Sequence, residues 1–276
     1  MDRKGALVKL SICPTPIGNL RDITLRVLDT LKVADVIAAE DSRHTRKLLT
    51  HFEIKTPLMR YDDHHSEAGL DQVLERLRAG QHVALVSDAG MPVVSDPGVL
   101  LIKRCLEEGI AVEVLPGASA FVNAWVLSGF PGESFTFYGF LPRKQSELRS
   151  KLAQIKSRRE PFIIYEAPHR ILKTLTEIEA ILGNRPAVLA RELTKMYEEV
   201  LRMELSDLIQ ELTDNPRKGE MVLIVDGAPE EAITGSIEDE LKALLALGMT
   251  KNDAIKAVAS SRKIPKREVY QAAIDL

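Results

Sequence analysis

The sequence predicts an α/β protein, with one α/β domain over residues 1–117, a second with a mixed sheet over 118–228, and a small helical module over 235–276. Three observations carry this. The chain has 276 residues, more than one average domain of roughly 100–200 residues. Short apolar runs alternate with longer amphipathic stretches as far as Ala228, the pattern of sheets covered by helices. Beyond Ala228 the strand-like runs stop and three short helical segments follow.

In order, LVKLSIC, DVIAAE, TPLMRY, HVALVSD and AVEVLPG read as strands, separated by ITLRVLDTLKVA, SRHTRKLLTHF, EAGLDQVLERLRAG and VVSDPGVLLIKRCLEEG as helices. Gly109 and Gly117 fall at a helix end and a turn. An apolar helix, SAFVNAWVLSGF, leads to SFTFYGF, a basic helix from about Gln145 to Lys156, PFIIYEA, the helix RILKTLTEIEAIL, PAVLARE, EEVLRMEL, a short helix and GEMVLIVDG. Consecutive strands here predict a mixed sheet. After the turn-rich PEEAITGS come three helices broken at Gly248 and Pro265, and the last two resemble a helix-turn-helix. Thr250 is placed to cap the first of these, and Lys266 to Ala273 forms the recognition-like second.

The composition, 45% hydrophobic and 28% charged, is that of an ordinary globular chain and excludes disordered and collagen-like classes. No apolar run approaches the roughly 20 residues of a membrane span, and the start runs straight into a strand, so no membrane association and a cytoplasmic location are expected. Cys13 and Cys105 form no Cys-x-x-Cys pair and read as buried hydrophobes. His64 and His65 are adjacent, and no H-E-x-x-H spacing occurs, so no metal is expected. A net charge of −3 argues against coating of nucleic acid by global charge and leaves room for local basic patches.

Three turns suit a ligand. CPTPIGNLRDIT ends the first strand at the carboxyl edge of the sheet, where ligands of open α/β sheets bind. SDAGMPVVSDPG offers small residues and a carboxylate after another strand. Here Asp88 is assigned to the ligand, and Asp96, before Pro97, to capping the next helix. In LPGASA, Ser119 and Ala120 open a helix with free N–H groups, although a simple cap by Ser119 fits equally well.

Taken together, PTPIGNLRDIT, AAEDSRHTRKLL, SDAGMPVVSDPG, PGASA, YEAPHR, ARELTK and KGEMVLIVDG resemble the class III, tetrapyrrole-methylase-type methyltransferases, and within them the branch of 16S rRNA cytidine 2'-O-ribose methyltransferases. PTPIGNL and SDAGMP replace the G-x-G-P-G and G-D-P motifs of the tetrapyrrole enzymes, which weakens a tetrapyrrole substrate. The resemblance implies S-adenosylmethionine in a cleft between two α/β domains. It would be touched by Thr15, Pro16 and Ile17, by Asp88, Ala89, Gly90 and Met91, by Ser119 and Ala120, and by Tyr165 and Ala190. It also implies a homodimer, and 16S rRNA within the small ribosomal subunit as partner, with cytidine 1402 of the decoding region as target.

Attack of a ribose hydroxyl on a sulfonium methyl group requires alignment and help in removing a proton. Candidates are Asp41, Arg43, His169, Arg170, Glu192 and Lys195, with Glu192 as the base. Each also has a bland reading: Asp41 or Ser42 as a helix cap, and Arg170 with Glu192 as an ion pair.

Two basic stretches suit RNA. Between Arg143 and Arg159 seven cations, among them Lys144, Arg149 and Lys151, face only Glu147. From Leu241 to Tyr270 seven more, including Arg262, Lys263, Lys266 and Arg267, face Asp253 and Glu268. Phosphate contact is the functional reading and a solvated helix face the other. Two rival functions stay open, a tetrapyrrole methyltransferase and a non-catalytic RNA-binding protein.

Overall fold

A computed structural model of the chain describes residues 9–61, 67–229, 236–262 and 264–274. Two compact units emerge, one ending at Ala228 and one beginning at Pro229.

The first unit holds two five-stranded sheets. The first contains β1 (Lys9–Ile12), β2 (Val36–Ala39), β3 (Leu58–Arg60), β4 (Val83–Val86) and β5 (Ala111–Val114), in the order β3-β2-β4-β1-β5. Every pairing in it is parallel. Its crossovers are α1 (Leu25–Val33), α2 (Ser42–His51), α3 (Glu67–Arg78) and α4 (Val99–Glu107). Side chains alternate along a strand, so Leu10, Ile12, Val83 and Leu85 face one apolar core, and Ile37, Ala39, Ala84 and Val86 face the other. Helices cover both faces, as a parallel sheet requires.

After α5 (Ala120–Ser128) comes the second sheet: β6 (Thr136–Phe140), β7 (Phe162–Glu166), β8 (Pro186–Arg191), β9 (Glu199–Glu204) and β10 (Met221–Val225), ordered β6-β7-β10-β8-β9. Only β6 and β7 run parallel; the other neighbours are antiparallel, so the sheet is mixed as expected. In β10 the same alternation sends Met221, Leu223 and Val225 to one core, together with residues of α6 (Gln145–Ile155), α7 (Ile171–Leu182) and α8 (Leu205–Asp214). Val222 and Ile224 go to the other, where Ala124 of α5 packs.

The second unit consists of α9 (Ile237–Ala246), α10 (Lys251–Ser261) and α11 (Lys266–Ala273), closed around Leu241, Ile255, Val258 and Val269. The Thr250 hydroxyl accepts the Asp253 N–H at 3.2 Å, the expected cap. Among the described residues no helix is long and apolar enough to cross a membrane.

One local expectation fails. The helix after VVSDPG starts at Val99 with Gly98 as its N-cap, so Pro97 is not its first residue and Asp96 does not cap it. Val93 and Ser95 both adopt left-handed backbone, with φ of 75° and 66°. They coil the segment tightly enough that a Cβ on Gly98 would stand 2.8 Å from Val93 Cγ2.

Candidate active site between the two sheets

The carboxyl ends of β1 and β4 are neighbours in the first sheet. Their loops zip together beyond it, where Thr15 and Gly90 exchange backbone hydrogen bonds of 2.9 and 3.0 Å. Facing them are the ends of β7 and β8 and the start of β10. Between lies a cavity of about 640 Å³, within the range of about 300–1,000 Å³ usual for cofactor sites. Ile17, Ala89, Gly90, Met91, Ser119 and Ala120 line one side, and Tyr165, Ala190, Leu193, Met221 and Val222 the other.

Eight of the eleven residues expected at the cofactor therefore line the cavity. Thr15, Pro16 and Asp88 do not. Thr15 is buried, and its hydroxyl donates to the Ser87 carbonyl at 3.0 Å, so it fastens the two loops. Asp88 is exposed and accepts the Asp41 N–H at 3.2 Å, which tethers the start of α2 to the SDAGMP turn. Both aspartates of this segment depart from the roles expected of them, because Asp96 lines the cavity and Asp88 does not. Burial pushes the Asp96 carboxyl from 3.8 up to about 6; the charges of Glu40 and Asp88 add to the shift and a hydrogen bond from Ser87 opposes it. Ser119 precedes α5 as N-cap without a side-chain capping bond.

Of the six residues proposed for chemistry, Glu192 and Lys195 reach the cavity. The Glu192 backbone is left-handed, with φ of 52°. Its Oε1 accepts from Lys195 Nζ at 2.8 Å and from the Glu220 N–H at 2.9 Å. Lys195 also donates to Glu220 Oε2 at 3.0 Å. The Lys195 ammonium holds the Glu192 carboxyl below its ordinary range. The turn permits no bulk here: a Cβ on Gly219 would lie 2.5 Å from Glu192 Cδ. Gly18 likewise gives way to the Lys195 side chain, which brings PTPIGNL and RELTK into contact.

Asp41 caps α2, accepting the Arg43 N–H at 2.8 Å, and pairs with the Arg43 guanidinium, which holds its carboxyl well below the usual carboxylate range. The capping reading is thus the correct one for Asp41, and Arg43 serves the same pair. Arg170 stands behind the cavity wall, 3.4 Å from Glu166 and donating to the carbonyls of Leu141 and Pro142. The ion pair expected between Arg170 and Glu192 does not form, since each has a nearer partner. Glu166 is buried in the wall, and its carboxylate accepts from the Ala167 N–H at 2.9 Å and from the Thr174 hydroxyl at 2.6 Å. His169 is exposed and outside the cavity. The cavity residues missed from the sequence include Phe140, Glu166, Gly219 and Glu220. YEAPHR and KGEMVLIVDG held three of them, each directly beside a strand end.

The basic stretch of α6 is partly engaged. Arg149 pairs with Glu177 at 2.7 Å and Lys144 with Glu147 at 3.1 Å, while Lys151 lies 4.4 Å from the centroid of the Tyr138 ring. Arg143 is exposed. In the second unit Arg262 is spent on structure: it donates to Glu240 at 2.8 Å and to the Ser236 carbonyl, tying the end of α10 to α9. Lys266 and Arg267 are exposed in the first turn of α11. Lys263, His64 and His65 lie outside the described residues.

Residues 9–209 match the family of Tetrapyrrole (Corrin/Porphyrin) Methylases. The chain belongs to this family. Within that methylase fold, the cavity lies where the two sheets face each other and all the quoted motifs but AAEDSRHTRKLL contribute to its lining. The chain is 46% identical to the "Ribosomal RNA small subunit methyltransferase I" of Halalkalibacterium halodurans, over 98% of this chain and 94% of that protein. It is 43% identical to the protein of the same name from Bacillus subtilis, over 95% and 93%. Among solved structures, a uroporphyrin-III C-methyl transferase from Thermus thermophilus, complexed with S-adenyl homocysteine, superimposes with a TM-score of 0.56 at 17% identity. That likeness covers 78% of this chain and 96% of the other, and extends to the fold alone.

Proposed function

We propose that this methylase transfers a methyl group from S-adenosylmethionine to a ribose 2'-hydroxyl of small-subunit rRNA, cytidine 1402 of the decoding region, in the cytoplasm and as a homodimer. One observation carries the choice of substrate class. The family match ends at residue 209, whereas the likeness to the rRNA methyltransferases runs through 98% of the chain and so takes in the C-terminal helices. A tetrapyrrole has no use for that module. Assignment of 1–117 and 118–228 as separate domains belongs to the same reading.

The cavity fits S-adenosylmethionine by its donor set. Ile17, Leu193, Met221 and Val222 offer aliphatic surface to a purine. Ala89, Gly90, Ser119 and Ala120 keep the backbone close to a bound ligand. Asp96 and Glu192 offer carboxylates to a cationic ligand. When bound, the cofactor supplies a methyl group made electrophilic by the sulfonium. Glu192, pinned by Lys195 and the Glu220 N–H, is positioned to orient the attacking hydroxyl and receive its proton. Its lowered pKa makes it a weak base, so its effect belongs at the low end of general acid–base catalysis, about 10²-fold. Tyr165, pushed by burial up to about 12, stays protonated and serves as wall.

Asp96 makes the reading pH-dependent. A bound cation favours the ionised carboxylate, so affinity for S-adenosylmethionine should be full above about pH 6 and fall below it by up to about tenfold per pH unit. Asp96→Asn should flatten that dependence in a calorimetric titration; an unchanged profile would detach Asp96 from the ligand. Stability moves the opposite way. A raised folded-state pKa leaves the protonated form favoured by the fold, so this contribution is present below about pH 4 and lost as pH rises through about 6. Asp96→Asn should therefore raise the melting temperature at pH 8 more than at pH 4.

The direct test is transfer of labelled methyl from S-adenosylmethionine to undermethylated small ribosomal subunits, beside naked 16S rRNA and a tetrapyrrole precursor. Label in an alkali-resistant ribose linkage supports the proposal. Label confined to the tetrapyrrole, or to nothing, overturns it in favour of a tetrapyrrole enzyme or a non-catalytic RNA-binding protein.

A further inference from the structure

Helix α2 carries no carboxylate within Ser42–His51, and its buried face consists of Thr45, Leu48 and Leu49. The opposite face presents Arg43, Arg46, Lys47, Thr50 and His51, which together line a shallow groove. Their spacing, i, i+3, i+4, i+7 and i+8, puts them in one stripe about 12 Å long at 1.5 Å per residue. All five are exposed. Only Arg43 has an ion-pair partner among the described carboxylates, Asp41 at 2.8 Å.

Solvation of a helix face explains exposure, but not a concave surface of one sign in a chain whose net charge is −3. The groove's position supplies the second argument. Asp41, at the start of α2, donates its N–H to Asp88, and Asp88 is followed directly by the cavity residues Ala89, Gly90 and Met91. The cationic stripe therefore begins beside the cavity and leads away from it. A polymer with one ribose at the cavity would have its neighbouring phosphates within reach of the stripe.

We infer that the α2 groove binds the sugar–phosphate backbone of the RNA substrate, guiding the strand toward the cavity. This rests on the RNA reading above and adds a contact surface distinct from α6 and from the C-terminal helices. Lys47 and Arg46 act as point charges on phosphates and carry no base specificity.

The test uses the full chain with Arg46→Glu and Lys47→Glu combined, and Arg46→Lys as the charge-conserving control. Affinity for protein-free 16S rRNA should fall about tenfold or more at moderate salt. The slope of log affinity against log salt should shrink by about 1.5, the loss of two phosphate contacts. S-adenosylmethionine affinity and melting temperature should stay unchanged, and Arg46→Lys should bind as the parent does. Parental RNA affinity and salt slope in the double variant would overturn the inference. Loss of binding to assembled subunits with parental binding to naked rRNA would also overturn it, pointing to an acidic protein partner. If the parent chain itself transfers no methyl to RNA, the underlying function fails instead, a result the double variant cannot mimic.

Discussion

Replacing Gly219 with alanine should reduce methyl transfer by about 10²-fold or more, with a loss of stability alongside. The backbone at Gly219 has φ of 99°, and an added Cβ would lie 2.5 Å from the Glu192 carboxylate carbon. Non-glycine residues held in such conformations cost on the order of 1–3 kcal/mol, so melting temperature should drop. The catalytic loss has a separate cause, the displacement of Glu192 from Lys195 and from the Glu220 N–H. Glu192→Gln isolates it: with the shape kept and the charge removed, turnover should fall about 10²-fold while melting temperature changes little. Because both substitutions act on one group, their effects on turnover should not add when combined. Full additivity would mean that Gly219 acts elsewhere and that Glu192 is not the residue it protects.

Ending the chain at Ala228 is expected to spare S-adenosylmethionine binding and to cost most of the rRNA methylation. All residues lining the cavity precede Ala228, and the residues up to it form a compact unit of their own. Removed with the tail are Lys242, Lys251, Lys266 and Arg267, all exposed. If these four hold phosphates, the salt slope of RNA binding should fall by roughly 3. Circular dichroism and a cofactor titration establish that the shortened chain is folded; methyl transfer to small subunits then reads the effect. Parental activity from the shortened chain would leave the three helices without a part in RNA binding.

Much of this could be read from sequence because it depends on neighbours along the chain. The continuous apolar runs VIAA of β2, VALV of β4 and MVLIV of β10 marked strands buried on both faces, between two cores. The loops PTPIG, SDAGM and PGASA were legible as cavity lining because glycine and small residues after a strand leave the backbone open to close approach. Thr250 as a cap and Lys266 to Ala273 as a helix followed from local rules alone. What only the tertiary structure decided was the use of each charged side chain, since a charge answers to whatever group lies nearest in space. Arg170 found Glu166 and not Glu192, Arg262 found Glu240, and Asp41 stayed with Arg43. Asp88 and Asp96 are eight positions apart in one motif, and no local rule separates them. The left-handed turns at Val93 and Ser95 point one outward to the start of α2 and fold the other into the cavity, where burial raises its pKa. Ligand-lining backbone is written in residue size and turn chemistry, whereas the partner of a long charged side chain is settled only when distant segments meet.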